Sequence, residues 1–198
     1  TQQGIFDLSY LSSIPNLTVM APKNKWELSD MLKYAIAAEE PVAIRYPRGE
    51  ACDLWKDQRA PIQKGCAEVL VEGTEVALFA IGSMVETAWQ VRKKLAEKGI
   101  TTTVVNARFA MPLDKNCLRK LAESHPLLVT MEENVASGGF GEHVAAFLEE
   151  EALHTKVLRI AISDCFVEHG SVGELKKALG LDADSVTEKI LAELPEEL

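Results

Sequence analysis

The chain has 198 residues, 21 of them basic and 30 acidic, which gives a formal net charge of −9 with 47% hydrophobic residues. This composition is typical of a globular protein, and it excludes a broad nucleic-acid surface, because phosphate binding needs a basic stripe that is absent here. A membrane span is also excluded, since the most apolar run, Val76 to Gly82, is far shorter than the roughly 20 residues that cross a bilayer.

The first 49 residues predict two helices and a pair of parallel strands. A short helix is predicted from Phe6 to Leu11. A longer one begins after Asn24, whose side chain is expected to cap it while Glu27 reaches back. The inward face of this second helix is predicted from apolar spacing to comprise Leu28, Met31, Leu32, Ala35 and Ile36. Short apolar strands at 17–21 and 41–46 flank it, which favours a right-handed parallel crossover.

Periodicity is lost after residue 49 and returns as alternating strands and helices. The interruption predicts a linker at 50–64 between part of one domain at 1–49 and a second domain at 65–198. Strands are predicted at 68–72, 75–81, 102–106, 127–131 and 157–162, and helices at 86–98, 115–124 and 141–150, with two more helices after Ser171. This alternation indicates an α/β fold in which a mainly parallel sheet is layered with helices.

Cysteine usage and the first residues favour a cytoplasmic protein that continues upstream. The four cysteines are scattered without a C-x-x-C pair, so neither a disulfide framework nor a zinc site is expected. The four histidines form no metal-ligand set either, and no metal site is predicted in this segment. Thr1 is not a start methionine and no secretory signal follows it, so we expect the chain to be a piece of a longer protein.

Arg48 is the candidate for binding an anion. It follows a strand and Pro47, which fixes the backbone, while Gly49 lets the chain turn away from the sheet edge. A permanently charged, planar guanidinium at the carboxyl end of a parallel strand suits a phosphate or a carboxylate ligand. A structural ion pair in an acid-rich chain explains the same arginine equally well, and spacing alone leaves both alternatives open.

Two segments within residues 132–141 contain residue types that are common in phosphate-binding or catalytic sites, but neither shows a complete motif. The turn at 138–141 opens a helix as a phosphate loop does, but it lacks a third dinucleotide-motif glycine and a P-loop lysine, which favours close helix packing. Glu132 and Glu133 are adjacent carboxylates of the kind used in acid–base catalysis. Neighbouring strand residues face opposite sides, however, so one is expected to face solvent or an arginine such as Arg108, and catalysis is the less favoured alternative.

Nine blocks resemble, in order and spacing, the 1-deoxy-D-xylulose-5-phosphate synthases, a transketolase-like family. They are TQQGIFDLSYL at 1–11, MAPK at 20–23, AIRYPRG at 43–49, VNARF at 105–109, PLD at 112–114, TMEEN at 130–134, GGFG at 138–141, DCFVEHG at 164–170 and LGLD at 179–182. The resemblance implies a thiamine-diphosphate transferase that condenses pyruvate with glyceraldehyde 3-phosphate and releases CO2, in the non-mevalonate route to isoprenoids and terpenoids and in thiamine and pyridoxal synthesis. It also implies a homodimer without nucleic-acid or membrane partners. Residues 1–49 would be the last part of a pyrimidine-binding α/β domain, and residues 65–198 a domain like the transketolase C-terminal domain.

By the same resemblance, Arg48 matches the family arginine that binds the acceptor's phosphate and is the candidate substrate-binding residue. Gln2, the candidate catalytic residue, stands where the family usually has a histidine able to exchange a proton, whereas an amide can only hydrogen-bond. The ligands of thiamine diphosphate and Mg²⁺ would lie upstream of Thr1, so the chain is expected to be inactive without the rest of its polypeptide. The alternatives are a 2-oxoacid dehydrogenase β subunit or a transketolase, which share the architecture, and a non-catalytic scaffold or dimerisation module.

Overall fold

The computed structural model describes residues 4–47 and 52–195, which form two adjoining sheets flanked by helices. The elements in chain order are α1 (Asp7–Ser12), β1 (Thr18–Met20), α2 (Lys25–Ala37), β2 (Val42–Ile44), β3 (Glu68–Val71), β4 (Val76–Ala80), α3 (Met84–Ala96), β5 (Thr102–Asn106), β6 (Phe109–Met111), α4 (Lys115–Ser124), β7 (Leu127–Val135), α5 (Phe140–Glu150), β8 (Lys156–Ile162), α6 (Val172–Ala178) and α7 (Ala183–Glu193). The predicted α/β class, a mainly parallel sheet layered with helices, is confirmed. None of the helices in these two ranges combines the length and the apolar character needed to cross a bilayer.

The larger sheet has the strand order β3-β5-β4-β7-β8, with β3 antiparallel and the other four strands parallel. β4 lies at its centre and is completely buried, so alternate residues of this strand enter the cores on the two faces. Val76, Leu78 and Ala80 pack into the core that includes α3 and α7, and Ala77 and Phe79 pack into the core that includes α4 and α5. On α3, the helix predicted at 86–98, the residues Val85, Ala88, Val91 and Leu95 are all fully buried.

The smaller sheet has the order β2-β1-β6 and joins the two parts of the chain. β1 and β2 are parallel and connected through α2, as the sequence predicted. β6, which the sequence did not predict, lies antiparallel to β1 and extends the sheet from the later part of the chain. Met20 of β1, Met31 of α2 and Phe109 of β6 are fully buried against one another. Residues 4–47 are therefore held to the later part of the chain by the pairing of β1 with β6 as well as by side-chain packing.

A buried ion network crosses the same junction. Arg108 donates from Nε to the Glu27 carboxylate at 2.8 Å, and its Nη2 lies 3.2 Å from the Glu68 carboxylate. Lys23 pairs with Glu68 at 2.5 Å, and Asn106 donates to both carboxylate oxygens of Glu27 at 2.9 and 3.0 Å. Two cations thus balance two carboxylates whose side chains are at most 9% exposed, as burial of charge requires. We call these five residues the junction network.

The junction network changes details of two sequence expectations. One of the adjacent glutamates does face an arginine, but this arginine is Arg45, which lies 3.5 Å from the Glu133 carboxylate, because Arg108 turns to Glu27. The inward stripe of α2 consists of Glu27, Met31 and the partly buried Tyr34, so Leu32 is 48% exposed and Ile36 is 86% exposed. The predicted cap is present: the Asn24 side chain accepts from the Glu27 amide at 2.8 Å, and the Glu27 carboxylate reaches back to accept from the Lys23 amide at 2.7 Å while it also joins the network. An ionised side chain that is paired in the interior sets the rotation of α2, and apolar periodicity does not contain that information.

Candidate functional site

Charged groups concentrate where the carboxyl end of β7 meets the end of β2 and the start of α1. Arg45 directly follows β2, and its guanidinium donates hydrogen bonds of 3.1 Å to the carbonyl oxygens of both Gly4 and Glu133. The guanidinium also lies 3.4 Å from the Asp7 carboxylate and 3.5 Å from the Glu133 carboxylate. Lys176 of α6 approaches Glu133 at 2.6 Å. We call these five residues the Arg45 cluster.

The Arg45 cluster consists of balanced charges that are largely shielded from water. Its two cations and two carboxylates have side chains between 14% and 22% exposed. Burial raises the pKa of the Glu133 carboxyl, but the neighbouring cations Lys176 and Arg45 act against burial, and the net shift is downward. Glu133 is therefore ionised at neutral pH. The ion pairs of the cluster hold α1, β7 and α6 together, and Glu133 does not serve as a proton donor.

Asn134, the next residue of β7, fixes α1 to the same edge of the sheet. Its fully buried side chain accepts a hydrogen bond from the Leu8 amide at 3.2 Å and donates one to the Ser9 hydroxyl at 2.7 Å. The Ser9 hydroxyl donates in turn to the Ser137 carbonyl at 2.9 Å. The start of α1 is thus bound by Arg45 and its middle by Asn134, so its position relative to β7 is defined at two points.

The Glu132 carboxylate binds the N-terminus of α5, where the turn at 138–141 resembles a phosphate loop in sequence. Its carboxylate accepts hydrogen bonds of 2.8 Å from the amides of both Phe140 and Gly141, and the residue is 1% exposed. Burial raises the pKa of Glu132 to about 7, although these two amides and Arg159 lower it. Of the two adjacent glutamates, neither faces solvent, and each is committed to different protein groups.

The glycines of the 138–141 turn serve close packing, as the sequence favoured. A Cβ on Gly139 would lie 2.6 Å from the Val135 carbonyl oxygen, and one on Gly141 would lie 2.5 Å from the Thr130 hydroxyl oxygen. Both separations are well below van der Waals contact, so α5 approaches β7 more closely than any side chain at these positions permits.

The protonation of Glu132 predicts a specific pH dependence of stability. Its folded pKa of about 7 exceeds the ordinary value of 4.5, so between these values the folded state holds a proton that the unfolded state has lost. The resulting stabilisation is fully present below the lower value and is lost as the pH rises towards the higher one. We therefore expect the free energy of unfolding of the wild type minus that of Glu132→Gln to fall by about 2 kcal/mol between about pH 5 and pH 8.

Urea unfolding of both forms across this pH range measures that difference, in which groups common to both proteins cancel. Glu149→Gln is the matched control, because it removes an exposed carboxylate from α5, the helix whose first amides Glu132 binds. A wild-type minus Glu132→Gln difference that is constant, or that grows with pH, contradicts the prediction.

The described residues do not fit the diphosphate and metal end of the cofactor that the resemblance implies. The amides at the start of α5 are occupied by Glu132. Within residues 4–47 and 52–195, no group of three or more His, Cys, Asp or Glu side chains is arranged to hold a metal ion. In these ranges, α5 therefore offers no free N-terminus to a diphosphate, and no cluster of His, Cys, Asp or Glu side chains offers a site to Mg²⁺.

The two site residues selected from the sequence lie outside the described residues. Gln2 precedes Gly4, and Arg48 falls in the gap between residues 47 and 52. Arg45 is the residue that sequence reasoning missed, although it stands in the same AIRYPRG string as Arg48 and directly after a parallel strand. The signal in the sequence that could have identified Arg45 is its position at the carboxyl end of β2. The same argument selected only Arg48, the second arginine of the string.

Comparison with curated proteins confirms the resemblance to the 1-deoxy-D-xylulose-5-phosphate synthases. The synthase of Lachnoclostridium phytofermentans is 52% identical over 191 residues, which make up 96% of this chain and 31% of that protein. Synthase 1 of Geobacter sulfurreducens is 44% identical over 197 residues, which make up 97% of this chain and 31% of that protein. The chain therefore spans just under a third of the length of these relatives.

Solved structures and family models agree with this fold. A split-gene transketolase, solved as an inactive β4 tetramer, superimposes with a TM-score of 0.90 and 29% identity, covering 96% of this chain and 62% of that one. Transketolase from Campylobacter jejuni is similar in fold alone, with a TM-score of 0.69 and 18% identity over 94% of this chain and 28% of that one. The transketolase pyrimidine-binding domain matches residues 1–53, and the transketolase C-terminal domain matches residues 65–186. Because the C-terminal-domain match alone extends over more than half of the 198 residues, the chain belongs to the transketolase family.

Proposed function

We propose that the chain is the C-terminal part of a 1-deoxy-D-xylulose-5-phosphate synthase, which condenses pyruvate with glyceraldehyde 3-phosphate and releases CO2. The observation that carries the proposal is the 52% identity over 96% of the chain to a protein of that name, against 29% to the split-gene transketolase. Thiamine diphosphate is the cofactor we propose for the full-length protein, in agreement with the pyrimidine-domain match. Magnesium, a homodimer, a cytoplasmic location and a place in isoprenoid and thiamine synthesis stay predictions of the resemblance.

The family matches support a proposed role for each part of the chain. Residues 1–49 would complete the pyrimidine-binding domain, residues 50–64 would link the domains, and residues 65–198 would form the C-terminal domain. The family matches at 1–53 and 65–186 support this division. Arg48 would bind the phosphate of the acceptor through a bidentate, charge-assisted contact. Gln2 would hydrogen-bond a substrate oxygen without exchanging a proton, because its amide does not titrate.

Support for a shared site comes from the segments that carry these two residues. The Gly4 carbonyl, two residues after Gln2, is bound by Arg45, three residues before Arg48. We propose on the basis of this contact that Gln2 and Arg48 act on one substrate.

Assay of the full-length protein with pyruvate and glyceraldehyde 3-phosphate tests the proposed function. We expect the full-length protein to consume both substrates and to release CO2, and the 198-residue chain alone to be inactive, because catalysis needs positioned groups that its described residues do not supply. Turnover by the isolated chain, free of longer species, contradicts the expectation for the fragment. A full-length protein that does not consume pyruvate overturns the synthase assignment in favour of a transketolase activity.

A further inference from the structure

Residues 54–64 lie between β2 and β3, belong to no helix or strand, and make up most of the linker predicted from the sequence. We propose that these residues form a fixed strap, which binds α2 in the first part of the chain and both α3 and the turn between β5 and β6 in the second part. The strap would hold the first part, residues 4–47, and the second part, residues 65–195, as one body. This inference goes beyond the proposed function, because it depends on no substrate or cofactor.

Trp55 anchors the start of the strap on α3. Its ring lies edge-on to the ring of Trp89, with the centroids 5.5 Å apart and the planes at 85°. Both residues pack against the core that includes α3 and α7. The Leu54 carbonyl, just before this anchor, accepts a hydrogen bond of 2.7 Å from Nδ2 of Asn24, the residue that caps α2. Two consecutive residues of the strap are therefore bound to different parts of the chain.

The backbone of Trp55 indicates that packing fixes the strap at this point. Its φ is +58°, in the left-handed region that a bulky residue rarely adopts. Such a conformation persists only where the surrounding structure over-determines it. A glycine adopts the same φ without strain, but it has no ring to pack against Trp89. The effect of a glycine at this position therefore separates a local turn from an anchor.

The middle of the strap is bound to α2 and then to the turn between β5 and β6. Arg59 donates to both carboxylate oxygens of Asp30 on α2, at 2.6 and 3.0 Å. The next two carbonyls, of Ala60 and Pro61, accept hydrogen bonds of 3.1 and 3.2 Å from the buried Arg108 guanidinium. Three successive residues thus make five-membered use of no solvent bridge: each binds a protein group directly.

The end of the strap returns to the first part of the chain. Ile62 packs against the buried cluster that Met31 of α2 forms with residues of β1 and β6. Lys64 forms an ion pair with Glu40, which follows α2. Contacts with the first part therefore alternate along the strap with contacts with the second part, and a movement of one part against the other would break contacts of both kinds.

Limited trypsin digestion of the full-length protein tests the strap, because Arg59 and Lys64 place cleavable bonds inside it. A flexible connector is cut readily, whereas a fixed segment is cut only after it opens. We expect wild-type cleavage after these two residues to be at least about a hundredfold slower than cleavage of a free peptide of residues 52–66. Trp55→Gly should speed this cleavage by about tenfold or more, and Trp55→Phe should stay close to the wild type, because a phenyl ring retains the edge contact.

Ala152→Gly is the matched control for the change of backbone at Trp55. Ala152 is exposed after α5 and has a φ of +54°, so its replacement relieves the same kind of strain away from the strap and should leave cleavage unchanged. Cleavage after Lys120 of α4 reports on unfolding of the whole domain, which would accelerate it by the same factor as cleavage of the strap. Cleavage of Trp55→Gly at the wild-type rate or slower, as relief of a strained local turn would give, overturns the anchor.

A second variant keeps the proposal testable if Trp55→Gly unfolds the protein. Asp30→Asn weakens the contact of Arg59 at the surface of α2 and should speed cleavage after Lys64 about threefold, with no change after Lys120. No change after Lys64 in this variant overturns the strap, as does wild-type cleavage as fast as that of the free peptide. These rates are measured without substrate, so a failure of the proposed function leaves the test of the strap unaffected.

Discussion

Replacement of Arg108 by methionine is expected to lower the free energy of unfolding of the chain by about 3–5 kcal/mol, the range for breaking a buried ion pair from one side. Arg108 is 2% exposed and Glu27 is 3% exposed, so water does not replace the lost guanidinium. The change also removes the donors to the carbonyls of Ala60 and Pro61, at 3.1 and 3.2 Å. Lys23 alone then faces two buried carboxylates, and the junction between the two sheets is left with an unbalanced negative charge.

Urea unfolding measures this loss, with Arg119→Met as the matched control. The Arg119 pair with Glu151 has side chains 37% and 36% exposed, so its removal should cost less than about 1 kcal/mol. Adding Glu27→Gln to Arg108→Met removes the stranded charge and should restore part of the stability. A loss for Arg108→Met as small as that of the control, or a double variant worse than the sum of both changes, contradicts the junction network as an energetic unit.

The second large effect is expected at Arg48 in the full-length protein. Arg48→Ala should weaken binding of glyceraldehyde 3-phosphate by about ten- to a hundredfold, because a hydrogen bond to a charged group contributes about 1.5–3 kcal/mol. The effect on pyruvate should be much smaller, since pyruvate carries no phosphate for this residue to bind. Arg48→Lys should rescue only in part, because the ammonium cannot form the bidentate contact.

Steady-state kinetics with each substrate varied in turn provides the comparison. Arg59→Ala is the control, because Arg59 binds the Asp30 carboxylate at 2.6 Å and 3.0 Å on the surface. Losses of equal size for pyruvate and for the acceptor, or none for either, would show that Arg48 does not recognise the phosphate. Arg48 would then be better explained as a member of a structural ion pair, which is the alternative that the sequence leaves open.

Helix positions and caps, which depend on residues close together in sequence, were predictable from the sequence. Helix α4 runs from Lys115 to Ser124, as predicted, and the Asp114 side chain caps it by accepting from the Cys117 amide. Helix α6 begins directly after Ser171, as predicted, with a capping box formed by Ser171 and Glu174. Caps and periodicity report on contacts within one turn of helix or along one strand, and these contacts form in the same way in any fold.

Strand partners and the partners of charged groups were decided by the tertiary structure. β3 and β4 are consecutive across Gly73, yet β5 lies between them, and β6 completes a sheet begun nearly 90 residues earlier in the chain. The sequence showed Arg45 and Glu133 only as charges in two distant strings, whereas the fold brings them into contact. Glu132 and Glu133 are adjacent, but their carboxyl pKa values shift in opposite directions. A charge takes its role from the dielectric and the counter-charges around it, and both come from residues remote in sequence that only the packing of the sheets brings together.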